Sequence, residues 1–223
     1  MLSVIVPVYN EEQVLLRNAP YLEDVGKRAE LIFVDGASSD ASREICGRLG
    51  RVVYARRGRA AQMNAGARSA QTDGFLFLHA DTRVAPAALA AVEEALDNGS
   101  IGGCLTQRID NGASVYRLIE AQGNLRARIR KIFYGDQGIF VSRRAFWEND
   151  GFPEVPLMED VLFTRRLRRA GSTVVLPDPI TVSARRWERD GILKTVLLYN
   201  LILFLFWARF PLSRIKGLYE DLR

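Results

Sequence analysis

Uninterrupted apolar runs alternate with longer amphipathic stretches through the first hundred residues. Val4 to Val8 carries no polar side chain, as a strand covered on both faces does. Residues 13 to 24 have helical spacing, and Leu31 to Val34 is a second buried strand. Ser39 or Asp40 is placed to cap a helix running to about Leu49. Arg51 to Ala55 predicts a strand and Ala60 to Ala70 a helix. Phe75 to Leu78 predicts another strand, and Pro86 to Leu96 a helix with proline in its first turn. The order β-α-β-α-β-α-β-α implies an α/β fold with a mostly parallel central sheet and right-handed crossovers.

The second half is less periodic. Ile101 to Ile109 and Gly138 to Ser142 predict strands, and Val115 to Ile132 a basic amphipathic helix. A short helix to Asn149 follows, then one from Val161 to Arg169 stopped by Gly171. Thr173 to Leu176 and Thr181 to Ala184 predict two separate short strands. Two helices split by Pro211 end the chain. The first of these, within Ile192 to Phe210, has no charge between Lys194 and Arg209, but Asn200 interrupts it. A membrane span needs about 20 apolar residues. This run is short of that, so a core helix, an oligomer contact and an interfacial helix stay open. Trp207, Tyr199, Arg209, Arg214 and Lys216 suit an interface.

A length of 223 residues fits one domain, and 48% hydrophobic with 26% charged residues excludes a disordered chain. The net charge of +5 does not by itself imply nucleic acid. Cys46 and Cys104 are isolated, with no metal spacing, which points to a reducing compartment without disulfides. Met1 leads directly into the first strand with no basic leader segment. A cytoplasmic protein is expected, peripheral at the membrane face if the apolar tail contacts lipid. A homodimer through the same tail is the competing expectation.

Ligands of an open parallel sheet bind beyond the carboxyl ends of its strands. The first strand is followed by Pro7-Val-Tyr9-Asn10-Glu11-Glu12 and the second by Asp35-Gly-Ala-Ser-Ser-Asp40. The third leads into Arg56-Arg57-Gly-Arg59, with Asn64 in the next helix, and the fourth into His79-Ala-Asp81-Thr82. Four polar edges on one rim point to a binding site. No dinucleotide G-x-G-x-x-G, no P-loop and no G-x-S-x-G elbow is present. Carboxylates with arginines suit a hard divalent cation and a diphosphate.

V-I-V-P-V-Y-N-E at 4 to 11, F-V-D-G-A-S-S-D at 33 to 40, H-A-D at 79 to 81 and M-E-D at 158 to 160 resemble glycosyltransferase family 2. These enzymes are inverting and have the A-type nucleotide-sugar fold. With G-D-Q-G at 135 to 138, the chain looks most like a small bacterial subgroup. The resemblance covers roughly residues 1 to 190 and implies a nucleoside-diphosphate sugar, a UDP-sugar or GDP-sugar, as donor. Pro7, Tyr9, Glu11 and Asp35 would line its nucleoside end, with Arg57, Arg59 and Asn64 near the base or diphosphate. Asp81 would hold Mn²⁺ or Mg²⁺. His79 stands where the family usually has aspartate, and is either a second ligand or a structural residue. Asp160 matches the catalytic base, with Glu159 beside it to raise a carboxyl pKa. Asp136 and Gln137 form another polar turn, toward diphosphate or acceptor. Ser183-Ala-Arg-Arg186-Trp187 resembles a Gln-x-x-Arg-Trp motif with its glutamine missing, which argues against processive synthesis. Arg186 would clamp phosphate and Trp187 stack on the acceptor.

The expected division is a nucleotide-sugar half over 1 to 100, an acceptor half over 101 to 190 and apolar, basic helices over 191 to 223. Two other readings remain: a degenerate, non-catalytic binder, suggested by His79, and a nucleotidyltransferase. The latter lacks the Gly-rich basic loop it needs after the first strand.

Overall fold

A computed structural model of the chain describes residues 1 to 221; positions 222 and 223, the end of the expected helical tail, lie outside the described residues. The first half follows the predicted alternation. It comprises β1 (Leu2–Val8), α1 (Glu12–Gly26), β2 (Glu30–Asp35), α2 (Ser42–Leu49), β3 (Arg51–Tyr54), α3 (Arg59–Ser69) and β4 (Gly74–Phe77). A two-residue strand β5 (Arg83–Val84) and α4 (Pro86–Asp97) follow. The second half adds β6 (Gly102–Ile109), α5 (Ser114–Arg130), a 3-10 turn over Gly135–Gln137, β7 (Ile139–Ser142), α6 (Arg143–Glu148) and α7 (Glu159–Ala170). It ends with β8 (Thr173–Val182), α8 (Arg185–Asp190), α9 (Ile192–Trp207) and α10 (Leu212–Asp221).

The sheet order is β3-β2-β1-β4-β7-β6-β8-β5. β7 is antiparallel to β4 and to β6, β8 runs parallel to β6, and β5 is antiparallel to β8. The carboxyl ends of β1, β2, β4, β6 and β8 therefore share one rim. The two strands expected at 173 to 184 are one continuous β8. Pro177 and Pro179 explain the difference. They lack amide donors, and the ladder absorbs them with a register shift between Cys104 and Thr106.

Both faces of the sheet are covered, which is why β1 shows no alternation. Val4, Val6 and Val8 pack under α1 and α2, while Ile5 faces α3 and the second core. That second core is aromatic. Phe77 and Phe152 meet edge-on at 4.9 Å, and Phe152 lies 4.5 Å from Phe163. Each such ring contributes about 1.5–3 kcal/mol by burial. Gly66 lets α3 approach the sheet, since an added Cβ would stand 2.4 Å from Ile5. α3 thus delivers its N-terminal residues to the rim.

The tail is packed differently. α9 is joined to the body through Tyr116, Trp187, Ile192 and Tyr199, and Arg165 of α7 lies over the Trp207 ring at 5.0 Å. Leu193, Leu197, Leu201 and Phe204 are exposed along it. Among the described residues no helix is long and apolar enough to cross a membrane. With 16 residues, α9 is about 24 Å long.

Candidate active site at the carboxyl rim of the sheet

The turns after β1 and β2 are tied to one another. Ser38 and Ser42 hydroxyls accept from the Asn10 and Glu11 amides at 3.0 and 2.8 Å. Asn10 Oδ1 accepts from the Ser39 amide at 2.8 Å, and Asp40 from Glu12 at 3.2 Å. Neither Ser39 nor Asp40 is the cap of α2. That position falls to Ala41, although Asp40 still accepts from the Ser42 amide at 3.0 Å. Asn10 and Ala37 have positive φ, as does Met158 just before α7. Such non-glycine conformations cost of order 1–3 kcal/mol each and cluster where a turn must present a side chain.

Asp35 is buried at the end of β2, and its carboxylate accepts from the Ser38 amide at 3.2 and 3.3 Å. This bond shapes the turn that follows β2. Gln62, buried on α3, donates to the carbonyls of Val8 and Val34, both at 2.8 Å. It clasps the last residues of β1 and β2, a role the sequence did not suggest. Its only signal is its placement three residues after Arg59 and four before Gly66 on one helix face. Arg57 lies over the Tyr9 ring at 4.0 Å and donates to its hydroxyl at 3.3 Å. Pro7 is half-buried within β1.

Two expected contacts are corrected, and a third residue is placed. Asn64 is buried, and both ends of its amide hold Phe152: Nδ2 donates to the carbonyl at 2.8 Å and Oδ1 accepts from the amide at 2.9 Å. It fixes the 151–152 turn and is not available to a ligand. Trp187 is buried against Tyr116 at 6.2 Å, so it is a core residue and not a stacking platform. Arg186 donates to the Tyr199 hydroxyl at 2.6 Å and lies near the Tyr219 ring, while its charge also reaches His79.

Glu159 and Asp160 open α7, where carboxylates suit the positive end of the helix dipole. Asp160 Oδ2 accepts from the Gly135 amide at 2.7 Å, and Oδ1 from the Val161 amide at 2.7 Å. Glu159 is buried and 3.6 Å from Arg59. Burial, then the Asp160 charge, pushes its carboxyl above the usual range. Asp136 lies in the turn that carries Gly135. Burial first, and Asp160 against the pull of Arg126, likewise raise it. Its Oδ2 accepts from Gln107 at 2.6 Å, while Oδ1 is buried without a partner. Gln137 is fully buried, with Oε1 bound by Arg126 at 2.8 Å and Nε2 unpartnered. The two orphaned polar atoms are in adjacent residues of the turn that carries Gly135.

His79 sits in a small cavity with Arg59, Gly135 and Asp160. Burial, then Arg59 and Arg186, lowers its pKa to about 3, so the imidazole is neutral at neutral pH. Asp81 lines a different cavity and pairs with Arg185 at 3.5 Å. His79 is thus placed beside Asp160, and Asp81 beside Arg185. Among the described residues no group of three or more His, Cys, Asp or Glu side chains is placed to hold a metal. Glu11, raised by burial and then by Asp81, is the other carboxylate nearby. One or two carboxylates are what a Mg²⁺-like cation uses when substrate phosphates and water complete its shell. The residues fit a cation that arrives with a diphosphate, and not an all-protein cage.

Solved structures with this architecture include a fragment of the Staphylococcus aureus protein TarS, residues 1–349, in complex with UDP-GlcNAc. It is 21% identical, with a TM-score of 0.65 over 82% of this chain. The chain spans 58% of that fragment's length. A second is the mannosyltransferase PcManGT from Pyrobaculum calidifontis in complex with GDP-Man and Mn²⁺. It is 22% identical, with a TM-score of 0.69 over 99% of this chain and 69% of that one. No curated protein matches the chain. The architecture is the A-type glycosyltransferase fold. Residues 3–148 match Glycosyl transferase family 2, and with more than half of its length inside that match, the chain belongs to this family.

Proposed function

We propose that the chain is a metal-dependent inverting glycosyltransferase moving a hexosyl group from a nucleoside-diphosphate sugar to an acceptor hydroxyl. The observation that carries this is the pairing, on one rim, of a solvent-accessible carboxylate, Asp81, with a fixed one, Asp160. Two backbone amides orient Asp160 and leave its outer lone pairs for a substrate proton. Asp160 takes the proton of the acceptor hydroxyl as that oxygen bonds to the anomeric carbon and the bond to the diphosphate breaks. Attack from the face opposite the leaving group inverts the centre. A bound Mn²⁺ or Mg²⁺, held by Asp81, supplies charge neutralisation to the departing nucleoside diphosphate. Tyr9, Glu11, Asp35 and Arg57 bind the nucleoside end, and Arg59 approaches the diphosphate while pairing with Glu159. The two similar structures are complexes with UDP-GlcNAc and with GDP-Man, which supports a sugar nucleotide here. His79 in the H-A-D sequence belongs to a small subgroup reading and acts as a neutral residue beside Asp160.

The acceptor is lipid-like in this reading. Leu118, Leu125 and Ile129 are exposed on α5, and Leu193, Leu197, Leu201 and Phe204 on α9. The two helices meet around Tyr116 and Trp187. Arg128, Arg130 and Lys194 flank these apolar faces, the composition that binds an anionic bilayer surface. A melting-temperature screen with UDP, GDP, CDP and dTDP tests the donor assignment, each with Mn²⁺, Mg²⁺ or chelator. One nucleotide is expected to raise the melting temperature only with metal. A flat response to every pair overturns the enzyme reading in favour of a degenerate binder.

A further inference from the structure

Past Asp81 the rim continues over the ends of β6 and β8, where a cavity of about 70 Å³ opens between α1, β5 and the start of α8. Three guanidiniums reach it, from Arg17, Arg83 and Arg185. Arg83 donates through Nε and Nη2 to Asn18 Oδ1 at 2.9 and 2.7 Å. Asn18 is buried and donates in turn to the Ala80 carbonyl at 2.7 Å. A neutral amide thus fixes the direction of Arg83 without cancelling its charge. Arg185 has Asp81 at 3.5 Å, and Asp110 is the other carboxylate on the wall. Arg17 makes no hydrogen bond or ion pair with a described residue. Three positive groups therefore face Asp81 and Asp110, with Glu11 next to Asp81 and within reach of Arg185. The planar fork of arginine matches tetrahedral oxyanions with paired hydrogen bonds.

We infer that this cavity binds a phosphoryl group. The inference rests on the proposed glycosyl transfer for its meaning, because two phosphates are then at hand: the donor's diphosphate and a phosphate carried by the acceptor. Tyr9, Asp35 and Arg57 cluster at the ends of β1 and β2, while this cavity is on the β6–β8 side of Asp81. That placement favours the acceptor. Arg185 then links the two sites, since it pairs with Asp81 and also lines the cavity.

Calorimetric titration of the full chain with inorganic phosphate, alone and with saturating UDP or GDP plus Mn²⁺, tests this. Saturable binding is expected, weakened about tenfold by Arg17→Gln and by Arg83→Gln, the loss of one charge-assisted contact. Arg17 makes no polar contact with a described residue, so its variant keeps the test sound if Arg83→Gln unfolds. Phosphate binding that persists with the nucleotide present assigns the cavity to the acceptor, and competition assigns it to the donor diphosphate. Absence of saturable phosphate binding, or equal affinity in the wild type and Arg17→Gln, overturns the inference. Failure of the glycosyl-transfer reading shows separately, as failure of the nucleotide with Mn²⁺ to bind.

Discussion

At the ends of β1 and β2, Asn10, Glu11 and Glu12 are held by Ser38, Ser39, Asp40 and Ser42 through backbone and hydroxyl hydrogen bonds, and Gln62 clasps both strands from below. At the other end of the chain, α9 buries only Thr195 and Ile202 among its described side chains and turns five large apolar residues to the surface. The first region satisfies itself. Its polar groups find partners within the fold, so the turns are already shaped before a ligand binds, and less ordering has to accompany binding. The second is incomplete in isolation, because an apolar face left in water gains nothing from the fold. The difference teaches where recognition is built in and where it depends on a second surface.

The sharpest way to break this contrast is at the preformed end. Asp160→Asn keeps the shape of the side chain but cannot take up a proton, and its amide oxygen can accept from only one of the two backbone amides. Transfer is expected to fall by about 10²–10⁴-fold in an initial-rate assay, with nucleotide binding intact by calorimetry. If transfer survives, the rim is a binding site and its chemistry lies elsewhere. Next in size is Asp81→Asn. The metal-dependent part of the nucleotide's thermal stabilisation, about 2.7 kcal/mol at a hundredfold excess over Kd, is expected to vanish, and a metal-free melting curve should be unchanged. A retained metal requirement would move the cation site away from Asp81.

At the incomplete end, Leu197→Glu with Phe204→Glu is expected to abolish co-sedimentation with anionic vesicles while changing stability by about 0.5 kcal/mol or less, as exposed positions do. Unaltered sedimentation, or a wild type that stays in the supernatant, would leave α9 to a second copy of the chain. The smallest effect concerns Glu159. Its folded pKa is raised, so the native state holds its proton more tightly than the unfolded chain does. Stability is therefore lost as pH rises from the ordinary glutamate value of 4.5 through the raised folded one. Glu159→Gln should flatten that segment of a stability–pH curve measured by denaturant unfolding. An unchanged slope would assign it to another group, Asp136 being the next candidate because it is raised in the same sense.

Much of the scaffold was legible in the chain. Val4 to Val8 and Leu31 to Val34 announce buried strands because two-sided burial removes the polar alternation. Pro86 marks the first turn of α4, where its missing amide costs nothing. The rim residues were legible for the same local reason, since they are the polar positions that follow apolar runs. β5 was missed because two residues carry no periodicity, and β8 was divided because its prolines look like a break.

The sequence by itself therefore determined the α/β order, the shared rim and the identity of the polar groups there, since each follows from spacing along one segment. Only the tertiary structure decided what those groups face. Asn64 and Trp187 looked like ligand contacts, but they meet Phe152 and Tyr116, which are distant in the chain. His79 and Asp81 are two residues apart, yet they look into different cavities. Gln62 and Arg83 looked ordinary, and long-range packing places one under two strands and the other beside an unfilled cavity. The physical reason is that hydrogen-bond partners and burial belong to pairs of segments, and a single stretch of sequence carries no record of its partner.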